Sequence, residues 1–231
     1  MNLQFEPDFS EHSIELSAEE SHHVRTVLRK NTGDLLHITN GKGGYFRCQI
    51  TGVTGKKCQI QIEKHQQFTR PAEVCLAISV LKTSERMEWL VEKATEIGAT
   101  SIRFFLSTRT ERKNINLEKL THTAIGALKQ CGRFWLPTIS GPERFTDLIT
   151  ERFDQKFIAT LSGEQSKNLI QACIPGKATC VLIGPEGDFT EEEKTAAMEH
   201  QFHPVTLGEY TLRAETAGLV AIHSVVAAGL S

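Results

Sequence analysis

The chain has 231 residues, 39% hydrophobic and 23% charged, with a formal net charge of −2, which suits a globular protein with room for one large α/β domain or a small domain beside a medium one. No apolar run is long enough to cross a bilayer, and the acidic start MNLQFEPDFSEHSIEL lacks the basic flank and apolar core of an export signal, so a cytoplasmic protein without a membrane span is expected. The six cysteines are scattered with no CxxC, and the adjacent His22 and His23 point apart on a helix, so free thiols and no metal are expected.

Ser17 to Glu20 reads as a capping box opening a short helix through Val24 and Leu28. After Gly33 the pattern changes to strands. Leu36 to Ile38, the turn at residues 40–44, Tyr45 to Ile50 and the alternating Cys58 to Ile62 predict a small β-barrel. The polar stretch at residues 64–71 ends in a proline and reads as a linker, giving domains 1–70 and 71–231. From there strand and helix patterns alternate. Strands are predicted at residues 74–81, 102–106, 157–161, 179–183 and 205–207. Helices are predicted over 84–97, closed by Gly98; from Leu117 to near Gly132; over 191–200, capped by Thr190 with Glu193 three residues later; and over 215–228. This alternation predicts a mostly parallel sheet covered on both faces, with the ligand site beyond the strand C-termini. The last helix is apolar nearly all round and must be buried, in its own domain or in a homodimer.

Two loops carry the chemistry. The strand ending at Ile183 runs into Gly184-Pro185-Glu186-Gly187-Asp188-Phe189, and the strand ending at Leu207 runs into Gly208 and then Leu212-Arg213-Ala214-Glu215-Thr216. Glycines there let backbone polar groups approach a flat ligand such as adenine, and glycine placement alone also fits two tight turns. Neither a P-loop nor a helix-opening G-x-G-x-x-G is present, so an adenosyl ligand with few phosphates fits better than ATP or NAD. The charge is uneven: residues 1–137 hold 19 Lys and Arg against 15 Asp and Glu, and residues 138–231 hold 7 against 13. A phosphate backbone would prefer the first part.

The strings LIGPEGDFTEEE (residues 182–193) and LGEYTLRAETA (residues 207–217) resemble the two cofactor-loop signatures of the ribosomal small-subunit methyltransferase E family, in the SPOUT class. The resemblance extends to HHVRTVLR at 22–29, SERMEWLVEKATEIGA at 84–99, STRTERK at 107–113 and ALKQCGR at 127–133. It covers most of the chain in the family's order. Asp188 stands where the family commonly has glycine, and Cys131 where it commonly has serine.

The resemblance implies a PUA-like β-barrel followed by an α/β SPOUT domain whose C-terminal part forms a trefoil knot, assembled as a homodimer. It implies S-adenosylmethionine-dependent methylation of uridine N3 in small-subunit (16S) ribosomal RNA, with the RNA or the 30S subunit as partner. By resemblance the cofactor residues are Leu161, Ser162, Ile183, Gly184, Pro185, Gly187, Leu207, Gly208 and Leu212. An already activated methyl leaves the enzyme to align the attack, remove the N3 proton and stabilise charge on the uracil oxygens. Guanidinium groups suit the last task, and the catalytic candidates are Arg112, Arg133 and Arg213. Arg213 can instead bridge Glu215. Glu186 and Glu215 are candidate proton acceptors, although Glu215 near a helix start also suits capping of backbone amides. Arg25, Arg29, Lys30, Arg109 and Lys113 are the candidate RNA contacts. Ribose 2′-hydroxyl methylation would use the same pocket, and a non-catalytic RNA-binding protein is the alternative from another class. A dehydrogenase-like enzyme is disfavoured by the missing glycine fingerprint.

Overall fold

The computed structural model describes residues 3–160 and 167–229. The chain forms two compact units, one of Met1–Arg70 with Ile125–Leu136 and one of Pro71–Ala124 with Pro137–Ser231. Among the described residues, no helix is long and apolar enough to cross a membrane, and no group of three or more His, Cys, Asp or Glu could hold a metal ion.

In the first unit, β1 (Leu3–Phe5) lies parallel to β2 (Leu35–Thr39), and β2, β3 (Gly44–Thr54) and β4 (Lys57–Gln67) follow as antiparallel neighbours. Alternation decides what is buried: Phe46, Cys48 and Ile50 of β3 enter the core with Leu36, Ile38, Cys58 and Ile60, while Arg47 faces out. On the outer face, His37 Nδ1 and Tyr45 Oη are 2.8 Å apart. Burial, and then the positive charges of Arg47 and Lys30, hold the His37 imidazole below its ordinary pKa. β4 runs to Gln67, so the first residues of the predicted linker are strand.

Helix α1 (Ala18–His22) opens at Ser17 as predicted, with the Ser17 hydroxyl accepting from the Glu20 amide at 3.1 Å. The reciprocal half of the capping box does not form. The Ser17 amide instead donates to Glu6 Oε1 at 2.8 Å, and the Glu20 carboxylate pairs with Lys129 at 3.1 Å. A distant cation outcompetes the local amide for that carboxylate. The helix continues as a π-helical turn (His23–Val27) that buries Val24 and exposes Arg25, followed by Arg29 at φ 54°. Such insertions in the hydrogen-bond ladder recur at functional sites.

The second unit is built on a seven-stranded sheet of order β7-β6-β5-β10-β8-β11-β9, with every pairing parallel. Its strands are β5 (Val74–Ser79), β6 (Ser101–Leu106), β7 (Thr138–Arg144), β8 (Gln155–Ala159), β9 (Lys167–Asn168), β10 (Thr179–Ile183) and β11 (His203–Thr206). Every residue of β5 and β10 is buried, as expected of strands covered on both faces. Cys75, Ala77, Cys180 and Leu182 face one core with Phe105, Phe145, Phe189 and Phe202. On the opposite face lie Leu76 and Ile78, against which α7 (Ala214–Ala228) packs together with α2 (Ser84–Ile97). Gly218 permits this contact, because a Cβ there would stand 3.2 Å from Leu76 Cδ2 and from Leu90 Cδ1.

Helix α2 ends at Gly98 (φ 137°), and α3 (Leu117–Cys131) and α6 (Glu191–Glu199) lie close to the predicted spans. The Thr190/Glu193 capping box forms in full. The sequence reading missed β7, α4 (Phe145–Leu148), β9 and α5 (Leu169–Ala172). Strand β7 lies at the sheet edge, where its polar residues and Pro142 are tolerated but the hydrophobic signal is lost.

Candidate functional site

Strand β10 lies between β5 and β8, and β11 follows β8, so the C-terminal ends of three adjacent strands open onto one region. A cleft of about 360 Å³ occupies it. Ala159 and Thr160 contribute from the end of β8, residues 183–186 and Asp188 from the loop after β10, and Thr206 through Ala214 with Ala217 from the segment joining β11 to α7. The volume suits a small organic ligand, and the wall combines an apolar slot (Ile183, Leu207, Leu212, Ala217) with hydroxyls of Thr160, Thr206 and Thr211.

The walls are held by polar contacts whose partners lie far apart in sequence. Glu193, 7% exposed, accepts from the Thr108 amide (2.8 Å) and hydroxyl (3.1 Å) through Oε1 and from the Thr190 amide (2.9 Å) through Oε2. It thereby caps α6 and fixes residues 107–110, which are knitted further by Thr110 Oγ1 with the Ser107 amide and Ser79 Oγ, both at 2.8 Å. Arg109 donates to the Gly187 carbonyl. Asp188 sits at φ 61°, with its carboxylate 3.0 Å from Lys194 Nζ. Gly184 lies directly on Phe189: a Cβ at this position would stand 3.0 Å from two ring carbons and 3.3 Å from the Phe189 amide nitrogen. The glycine therefore serves close packing of the loop on the core.

Arg86, in the first turn of α2, reaches both cleft-forming segments. Its Nη1 is 3.2 Å from Glu186 Oε1 and its Nε 3.7 Å from Glu215 Oε1. Glu215 is 7% exposed, and its Oε2 has no hydrogen-bond partner among the described residues. The sequence reading allowed Glu215 to pair with Arg213 or to cap backbone amides; its partner is Arg86.

The RNA methyltransferase domain family matches residues 69–226, and the RNA methyltransferase PUA domain family matches residues 16–63. A "Ribosomal RNA small subunit methyltransferase E" of Synechocystis sp. is 30% identical over 92% of this chain and 72% of its own length. The chain belongs to the ribosomal RNA small subunit methyltransferase E family. Among solved structures, a "probable rRNA-methyltransferase" from Porphyromonas gingivalis is 34% identical, with a TM-score of 0.86 over 96% of this chain and 95% of that one. The family enzyme from Neisseria gonorrhoeae, solved bound to S-adenosyl methionine, is 26% identical, with a TM-score of 0.83 over 96% of this chain and 95% of that one.

Of the cofactor residues expected in this family member, Ile183, Gly184, Pro185, Leu207, Gly208 and Leu212 meet on the cleft wall. Gly187 lies off the wall, where a Cβ would stand 3.3 Å from Arg109 Cδ. Leu161 and Ser162 lie outside the described residues. Arg213 lines the cleft, exposed at the start of α7. Arg112 sits in the segment between β6 and α3, and its Nε donates to the Asn114 carbonyl at 2.8 Å. Arg133 belongs to the first unit, where burial pushes the guanidinium pKa down. Arg25, Arg29 and Lys113 are exposed and Lys30 is half-buried. The sequence reading did not single out Arg86 or the pinning role of Glu193, although both lie inside the quoted strings. Pairings between residues 80 to 130 positions apart leave no local pattern.

Proposed function

We propose that this protein transfers the methyl group of S-adenosylmethionine to N3 of a uridine in small-subunit (16S) ribosomal RNA. The observation that carries the reading is the cleft at the C-terminal ends of β8, β10 and β11, formed by the two loops whose strings mark the family. Its slot and threonine hydroxyls fit an adenosyl ligand, and Ile183, Gly184, Pro185, Leu207, Gly208 and Leu212 would hold it. When bound, S-adenosylmethionine supplies a methyl group activated by its sulfonium. The chain's own residues do the rest: the walls hold and orient the donor, and Arg213 at the cleft edge stabilises negative charge on the uracil oxygens once N3 is deprotonated.

In this reading Arg112 and Arg133 share that task with Arg213, and Leu161, Ser162 and Gly187 complete the cofactor set. The PUA-like first unit, through Arg25, Arg29 and Lys30, holds the RNA backbone together with Arg109 and Lys113. Arg109 also has a structural role through Gly187. The reading further includes action in the cytoplasm on 30S ribosomal RNA, a homodimer, and the family's trefoil knot in the C-terminal part. Incubation with methyl-labelled S-adenosylmethionine and unmodified small ribosomal subunits, followed by mass spectrometry of the nucleosides, tests it. N3-methyluridine is the expected product. A ribose-methylated nucleoside would replace the reaction, and failure to bind the cofactor would overturn the reading.

A further inference from the structure

The Arg86 contacts leave an imbalance of charge beside the cleft. Glu186 lines the cleft wall and Glu215 stands at the start of α7, and the single guanidinium of Arg86 lies 3.2 Å from one carboxylate and 3.7 Å from the other. Two carboxylates and one guanidinium sum to −1. Among the described residues nothing else relieves the excess: the Glu215 side chain is 9% exposed, and its Oε2 is buried without a hydrogen-bond partner. Of the neighbouring cations, Lys82 pairs with Glu111 at 2.9 Å and Lys194 with Asp188 and Glu191 at 3.0 Å each, while Arg109, held at the neutral Gly187 carbonyl, acts on the Glu192 carboxylate. Glu209 and Arg213, both exposed on the opposing segment of the cleft, carry opposite charges. A buried carboxylate oxygen without a donor is costly, so its retention points to a function that uses the negative charge.

Resting on the reaction proposed above, we infer that Glu186, Arg86 and Glu215 form a charge sensor that makes the cleft prefer the cationic sulfonium of the methyl donor over the neutral thioether left after transfer. In that reaction the S–CH3 bond breaks, its electron pair stays on sulfur and cancels the positive charge. The new N3–CH3 bond uses the pair freed when the N3 proton leaves to water. Donor and product thus differ at this centre by one methyl and one unit of charge. A site with a fixed charge of −1 holds the donor by an interaction that vanishes when the methyl is transferred, which favours exchange of spent product for fresh donor.

The test is calorimetric titration of the intact protein with S-adenosylmethionine and with S-adenosylhomocysteine, reported as the ratio of the two affinities. Glu186→Gln and Glu215→Gln each bring the formal charge of the group to zero. Each is expected to lower the donor-to-product ratio by about fivefold, as removal of one charge acting through a partly solvated cleft would do. Arg86→Gln makes the group −2 and is expected to raise the ratio. An unchanged ratio in the two glutamine variants, even with both affinities falling together, overturns the sensor and leaves a merely structural triad. Wild-type protein that binds neither compound overturns the reaction assigned above, and the sensor with it.

Discussion

Replacing Glu193 by alanine removes one buried carboxylate that serves three donors from two segments. The Thr108 and Thr190 amides lose their acceptor, and α6 loses the glutamate half of its capping box, while the Thr190 hydroxyl still accepts from the backbone amide at 193. A buried amide left without a partner costs about 1–3 kcal/mol, and two amides are affected. Partial access of water to the half-buried Thr190 and the exposed Thr108 lowers these figures, so the expected loss is about 2–4 kcal/mol. For a chain of this length that corresponds to a fall in melting temperature of roughly 5–12 °C. Thermal unfolding followed by circular dichroism reads it directly. Glu193→Gln keeps one acceptor oxygen and turns the other into a donor facing an amide, so it should lose about half as much. The loop that Glu193 pins also carries Arg109, Arg112 and Lys113, so methyl transfer to RNA should fall more than affinity for the donor. A Glu193→Ala protein melting within about 1 °C of wild type would refute the reasoning.

Gly184→Leu should abolish S-adenosylmethionine binding by calorimetry, because its Cβ would stand 3.0 Å from the Phe189 ring and displace the loop. The far-ultraviolet dichroism of the small β unit should persist. Asp188 sits at φ 61° and gains an ion pair with Lys194, so Asp188→Gly, which relieves the backbone and loses the pair, should change stability by less than about 1 kcal/mol. Asp188→Val, β-branched at the same φ, should cost about 2 kcal/mol or more in urea unfolding. The His37 imidazole resists protonation in the folded chain, so below about pH 6.5 the unfolded chain binds more protons and stability falls with falling pH. Urea midpoints compared at about pH 5 and pH 7.5 should therefore converge in His37→Gln.

What was legible in the sequence follows from which forces act locally. Helix α2 and strand β10 appear at their predicted bounds because a 3.6-residue apolar stripe and a fully apolar strand are consequences of burial that the residues themselves carry. The Thr190 capping box is likewise local and forms as read. The Ser17 box shows the limit: its serine half is local and forms, whereas its glutamate is taken by Lys129, more than a hundred residues away. Strand β7 was lost because an edge strand needs no continuous apolar run. The first unit also takes in Ile125–Leu136, where the Gly43 amide donates to the Phe134 carbonyl at 2.8 Å and Phe68 stacks on Phe134 at 4.4 Å.

The same distinction explains the cleft. Its position follows from topology, because parallel strands end on one side of a sheet and the loops that leave them must meet there. Its rigidity does not. The loop after β10 is fixed from below by Phe189, from one side by Arg109 at the Gly187 carbonyl, and from another by Arg86 at Glu186. Phe189 belongs to the loop itself, whereas Arg109 and Arg86 come from segments that precede it by 78 and 100 positions. Glycines at 184 and 208 look alike in sequence, yet one is filled against by Phe189 and the other has nothing within 4 Å of where a Cβ would stand. Gly184 therefore answers to the core and Gly208 to its own backbone, whose φ of 158° disfavours an L side chain, so alanine at 208 should cost stability through backbone strain although its Cβ would meet nothing.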